Sequence, residues 1–146
     1  MNSQSPRQIL FLDIETVPQK PAFEDLSTHW QDLWAHKTRW QREKEEISPQ
    51  EFYPQRAGIL AEFGKVVCIS CAYFYAAPSS EGEEESSWVL RLKSFAQDDE
   101  KALLQDFAGM LQSLGQGFKL CAHNGKEFDF PYLGRRMLIQ GIALPP

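Results

Sequence analysis

Residues 9–18, Ile-Leu-Phe-Leu-Asp-Ile-Glu-Thr-Val-Pro, constrain this chain more than any other stretch. An apolar run leads straight into Asp13, and Glu15 follows two positions later. In a β-strand, positions i and i+2 point to the same face. The pattern therefore predicts two carboxylates side by side at the end of a buried strand. Such a pair repels itself and is costly to desolvate unless a cation sits between the two groups. Hard divalent cations such as Mg²⁺ or Mn²⁺ favour oxygen ligands of this kind. The bland alternative is a strand-end turn with two surface carboxylates. The apolar run argues against it, because it delivers both groups in register.

A second acidic motif spans residues 121–133, Cys-Ala-His-Asn-Gly-Lys-Glu-Phe-Asp-Phe-Pro-Tyr-Leu. Phe118 to His123 reads as a short strand, and Asn124-Gly125 as a tight turn at its C-terminal end. Ligand sites of α/β sheets cluster at such ends. Asp129 falls two residues before Pro131, at the mouth of a helix that runs to about Gln140. Taken alone, Asp129 reads as a helix N-cap. Glu127 is expected to face solvent. His123 reads as a hydrogen-bonded turn histidine rather than a ligand, since no other His lies near it in sequence.

At 146 residues the chain is expected to form a single domain, 1–146. It contains no run of about 20 apolar residues, the length needed to span a bilayer. Its N-terminus lacks a signal-peptide layout, so no membrane partner and a cytoplasmic protein are the default expectations. Cys68, Cys71 and Cys121 lie in strand-like segments and are expected to be buried, reduced thiols. Cys68 and Cys71 are three apart and would face opposite sides of a strand, which argues against a shared metal or disulfide. The net charge of −5 argues against broad coating of nucleic acid. It leaves room for an enzyme that takes one strand end into a metal-lined pocket, where the cation supplies the positive charge.

Residues 8–13 are read as the first strand, closed off by Pro18 and Pro21. A helical insert follows at about 22–56, with helix over 22–46 and Leu26, Trp30, Leu33, Trp34, Lys37 and Trp40 near one face. Its Trp residues read as packing the insert onto the core, with base stacking as the alternative. Residues 65–76 and 88–95 read as strands. Between them, about 78–87 is an acidic, low-complexity segment read as a disordered hairpin loop. Asp98 and Asp99 are expected to cap a helix to about Leu114, with Leu103, Leu104, Phe107, Leu111 and Leu114 on its apolar face. The order of elements predicts an α/β domain with a mixed sheet.

The two acidic motifs, Phe-Leu-Asp-Ile-Glu-Thr-Val-Pro and His-Asn-Gly-Lys-Glu-Phe-Asp-Phe-Pro-Tyr-Leu, resemble the first two exonuclease motifs of the DEDD superfamily. They are most similar to a bacterial group of 3′–5′ exonucleases related to the proofreading domain of family-B DNA polymerases. Ala-Gly-Ile-Leu-Ala-Glu-Phe-Gly-Lys-Val-Val-Cys-Ile-Ser and Arg-Arg-Met-Leu-Ile-Gln-Gly-Ile also resemble that group. The resemblance covers Ile9 to Pro145. It implies a ribonuclease H-like mixed sheet with flanking helices, its C-terminal part missing. It implies removal of nucleotides from a nucleic-acid 3′ end, single-stranded DNA before RNA, with two Mg²⁺ or Mn²⁺ ions. On motif position, Asp13 would bridge both ions, Glu15 would hold the ion that activates water, and Asp129 would help hold the ion at the leaving group. Thr16 and Val17 would lie against the terminal nucleotide, and Asn124 and Phe128 would shape the strand path.

Such enzymes carry a third motif, a Tyr or His acting on the water and a fourth metal-binding Asp, and this sequence ends at Pro146 before it. A fragment or truncated product with weak or no activity is therefore expected. Its sheet should also have an uncovered apolar face through which it self-associates. The alternative is a non-catalytic ribonuclease H-like module that binds nucleic acid or protein. A phosphatase of the haloacid dehalogenase type fits poorly, because Glu15 stands where that family wants Asp, and Val17-Pro18 where it wants a Gly-containing turn.

Overall fold

Strand β1 (Ile9–Pro18) runs well past Asp13. The structure, a computed structural model, describes residues 8–76, 88–115 and 117–145. β1 continues because residues 11–18 pair antiparallel with β2 (Gly64–Ala76), from Phe11↔Ala72 to Pro18↔Gly64. Asp13 and Glu15 therefore lie inside the strand, which corrects the expected strand-end position. Alternation along β1 is strict. Leu10, Leu12 and Ile14 are buried, while Phe11, Asp13, Glu15 and Val17 turn to the opposite, exposed face. The pairing with β2 slips after Glu15, where Glu15↔Cys68 is followed by Thr16↔Val66 and Val67 is the extra residue. Such bulges re-aim side chains and are common beside functional sites.

The sheet has the order β3-β2-β1-β4. β3 (Trp88–Ala96) is antiparallel to β2, and the short β4 (Lys119–Cys121) is parallel to β1 along Ile9–Phe11 only. The fold class is thus α/β, a mixed sheet with flanking helices. The acidic segment 78–87 lies outside the described residues. Among the described residues no helix is long and apolar enough to cross a membrane.

Helices α3 (Glu100–Leu114) and α4 (Asp129–Ile139) both pack on the face of Leu10, Leu12 and Ile14, burying Leu103, Leu104, Phe107, Tyr132, Leu133 and Met137. Asp99 caps α3 as expected, its carboxylate accepting the amides of Lys101 and Ala102 at 2.9 and 3.3 Å. Gly115, at φ +74°, takes the left-handed position that ends the helix. Between α3 and α4 lies a buried ion pair. Arg136 donates to both oxygens of Glu100, which also accepts the Val66 amide at 2.8 Å and the Gln140 side chain at 2.7 Å. The remaining guanidinium arm donates to the Ala61 carbonyl at 2.9 Å.

The insert folds as a 3₁₀ turn (Phe23–Asp25), α1 (Thr28–Glu45) and α2 (Pro49–Arg56). Its buried face differs from the expected one. Trp34 and Thr38 are buried, whereas Trp40 is 78% exposed. The reason is a second core built by α2. Phe52 and Tyr53, with Phe23 and Phe63, enclose Trp34, whose indole N–H donates to the Pro49 carbonyl at 2.9 Å. Trp40 lies six residues on, about 120° round the helix axis from Trp34. The cysteines are all free, but only Cys71 is buried, its thiol pushed up to about 11 by that burial. Cys121 is exposed, against expectation, because its register opposite Phe11 places it on the open sheet face. Cys68 and Cys71 pair opposite Glu15 and Leu12 and so lie on opposite faces, as their spacing predicts.

That open face carries an apolar patch. Register aligns Phe11, Ala72 and Leu92 in one row and Phe74 with Leu90 in the next, with Leu90 46% and Leu92 74% exposed. Exposed patches of this kind drive association when they exceed a few hundred Å². The chain is predicted to self-associate in sedimentation velocity, and Leu92→Lys with Leu90→Ser to shift it towards monomer. An unchanged distribution would clear this face.

A second prediction concerns the ion pair. Burial alone would push the Glu100 carboxyl up, but the Arg136 guanidinium, the Val66 amide and the Gln140 side chain together hold it below its usual range. A depressed carboxyl contributes stability above the unfolded value, about 4.3, and that stability is lost as pH falls through the folded value. Arg136→Met leaves Glu100 buried and unpaired, and is predicted to cost about 3–5 kcal/mol in urea unfolding at pH 7. The cost should shrink in acid, where Glu100 is protonated.

Candidate functional site

Strand β4 stops at Cys121, opposite Phe11. Beyond that point β1 keeps β2 on one side and has no strand on its β4 side, and the chain turns there towards α4. The Asn124 carbonyl accepts the amides of Glu127 and Phe128 at 3.0 and 3.1 Å, and the Phe130 amide donates to the Gly125 carbonyl at 2.9 Å. Asn124 takes φ +53°, which Asn tolerates better than most residues. Gly125 is buried, and a Cβ there would meet the Phe130 ring at 2.6 Å and the Ala122 side chain at 2.7 Å. Only glycine lets the turn close this tightly, as the Asn-Gly sequence suggests.

The turn delivers Asp129 to the flank of β1. Asp129 is the first residue of α4, and the N-cap position falls to Phe128, which offers no side-chain bond. The N-cap reading of Asp129 is corrected by this, while the helix itself runs over Asp129–Ile139, close to the expected span. Asp129 is only 3% exposed. Burial pushes its carboxyl above the usual range, and the charge of Asp13 pushes it further. Its own amide, the Ile14 amide and His123 pull it back only in part. Asp13 and Asp129, far apart in sequence, thus feel each other where β4 ends.

The other expected residues fall into place around this pair. Glu15 is exposed on the same strand face as Asp13. It is not gathered with the other two into a tight set. Among the described residues, no group of three or more His, Cys, Asp or Glu is placed to hold a metal ion. Val17 shares the face of Glu15, and Thr16 turns inward to the Tyr132 hydroxyl. Asn124 is exposed at the turn, and Phe128 is half-buried with its ring 5.3 Å from that of Tyr132. Glu127 is exposed, as expected, and His123 is exposed in the turn.

The donor chemistry of Asp13 and Asp129 suits a hard divalent cation. The Asp129 carboxylate is desolvated, both are acceptor-only when ionised, and the charge of Asp13 raises the cost of ionising Asp129 in a way a cation would relieve. An apolar cleft of about 290 Å³ between α3, α4 and β4, lined by Phe107, Leu111, Leu120 and Leu133 among others, has no titratable group in its walls. The Asp13–Asp129 pair thus lies outside that cleft, past the end of β4. Sequence reading missed Tyr132, which sits one turn after Asp129 and joins α4 to the Gly58 carbonyl in the segment before β2.

The chain matches no protein-family model and no curated protein, so the geometry carries the reading. It predicts a stability signature. A carboxyl raised in the folded state favours folding only while protonated, and works against it as pH rises through the folded value. Asp129→Asn is therefore predicted to raise Tm at pH 7–8 by about 2–4 °C. The gain should vanish near pH 4, the ordinary Asp range. A pH-independent loss of Tm in differential scanning calorimetry would contradict the electrostatic account.

Proposed function

We propose that this chain is a metal-dependent 3′–5′ exonuclease domain of ribonuclease H-like fold, acting on single-stranded nucleic acid with DNA preferred. The observation that carries the reading is the buried Asp129 carboxyl, raised by its burial and by the charge of Asp13, just past the end of β4. The sheet is compatible with it, being mixed, with β1 central and an antiparallel β1-β2-β3 segment beside the parallel β4.

Asp13 and Asp129 would hold Mg²⁺ or Mn²⁺, with Glu15 drawn in from the same strand face. Bound as a pair, the ions would clamp the attacking and leaving oxygens of an in-line displacement. The ion charge would also offset the net −5 of the chain at the point where phosphate approaches. Val17 and the backbone at Thr16 lie beside Glu15, on the path of a terminal nucleotide. Asn124 and Phe128 line the turn on the other flank. Asp129 ligates only when ionised, so its raised pKa makes metal binding weaken in mild acid.

A second reading, a binding module of the same fold, is favoured by one observation: no three-carboxylate set is assembled among the described residues. A 3′-end-labelled oligonucleotide separates the two. The exonuclease reading predicts slow, Mn²⁺-dependent release of mononucleotides that is lost in Asp13→Asn and Asp129→Asn. A positioned general base contributes about 10²–10⁴-fold. No Tyr or His stands assigned to that role in this chain, so turnover should fall short of a complete nuclease by a factor of that order. Metal-dependent binding without turnover is the signature of the second reading. No metal dependence of either binding or release would defeat both.

A further inference from the structure

We propose that Tyr132 is the positioning residue of this site: its hydroxyl locks the first turn of α4 to β1 and so sets the distance of Asp129 from Asp13. Tyr132 is 2% exposed and follows Asp129 by one helical turn. Its hydroxyl donates to the Gly58 carbonyl at 2.7 Å and meets the side chain of Thr16, the residue after Glu15. Gly58 in turn lies against the backbone of Val17, where a Cβ would come within 3.3 Å. A single phenolic oxygen therefore ties α4 to the β1 segment that follows Asp13 and Glu15.

The surroundings are cut to that oxygen. Gly64 opens β2 directly beneath it, and a Cβ at Gly64 would overlap the Tyr132 hydroxyl. A core tyrosine serving only to fill space would need no such clearance, since a phenylalanine packs the same volume without a polar tip. The Phe128 ring lies tilted at 47° to that of Tyr132 with centroids 5.3 Å apart, and the Phe128 carbonyl accepts the Tyr132 amide at 2.9 Å. The ring thus carries the turn before Asp129, and the hydroxyl carries the strand. Groups that orient ligands in this way typically change metal affinity about 10–100-fold when removed.

The inference rests on the reading of Asp13 and Asp129 as one site, and the experiment separates the two claims. Tyr132→Phe keeps the ring and removes only the hydroxyl, and Thr16→Val removes the partner at the other end. The first measurement is Mn²⁺ affinity by electron paramagnetic resonance. Each variant should bind about 10–100-fold more weakly than the parent. The double variant should be no worse than the weaker single, because both act through one contact. The second measurement needs no metal: hydrogen exchange of the Ile14 amide, which acts on the Asp129 carboxyl, against that of Leu12 in the same strand. It should speed up about tenfold at Ile14 and stay unchanged at Leu12 in either variant. Failure of the parent chain to bind Mn²⁺ would defeat the proposed function and leave the exchange result to decide the positioning role. A fall in Tm with Ile14 exchange and Mn²⁺ affinity both unchanged would show that Tyr132 is only a packing residue.

Discussion

The structure depends on one buried ion pair. Arg136 and Glu100 are 2% and 7% exposed, so both charges have left water, a step that costs several kcal/mol per ion unless every polar atom is met. It is met here: guanidinium to carboxylate, carboxylate to the Val66 amide and Gln140, guanidinium to the Ala61 carbonyl. Those partners come from α3, α4, β2 and the segment before β2. A hydrophobic pair could fill the same volume. It would not fix the rotation of α4 about its own axis, because apolar contacts tolerate sliding and forked hydrogen bonds do not.

That rotation decides the site. Asp129, Tyr132 and Arg136 follow one another along α4 at spacings of three and four, so they share one helix face. Arg136 anchors the far end of this face on α3, Tyr132 anchors the middle on the Gly58 carbonyl beside Val17 of β1, and Asp129 stands at the near end, where the charge of Asp13 acts on it. The glycine turn at Gly125 brings the helix close enough for this, and the short β4 leaves the flank of β1 open to receive it. The outcome is a desolvated carboxyl under the influence of another carboxylate, a cost that a cation would relieve on the proposed reading. Stability placed in the Glu100–Arg136 pair is what lets the fold carry that strain at its other end.

Much of this was legible in the residues, for identifiable reasons. The run from Ile9 to Glu15 announces a strand with carboxylates in register, because period-two alternation is a local property. The end of that strand was not legible. It depends on how far β2 pairs, and Asp13 marks an end only for the shorter partner, β4. The turn at Asn124-Gly125 was readable from its dipeptide. The role of Asp129 was not separable from a helix cap, since both place an acid near a helix start. In the insert, helical periodicity gave a broad stripe of Leu and Trp, and only the aromatic side chains of α2 select Trp34 over Trp40. Glu100 and Arg136 each look like surface charges in sequence. Nothing local marks them as partners, and the only hint for Tyr132 is a glycine at position 64.

The central claim is that Asp13 and Asp129 form one cation site at the end of β4. Anomalous diffraction at the manganese edge, from crystals grown with Mn²⁺, tests it most directly. The account predicts an anomalous peak within ligand distance of both carboxylates, with Glu15 turned towards it, and no peak there in Asp13→Asn crystals. A fully occupied Mn²⁺ elsewhere with none between Asp13 and Asp129, or a peak that survives Asp13→Asn, would contradict it.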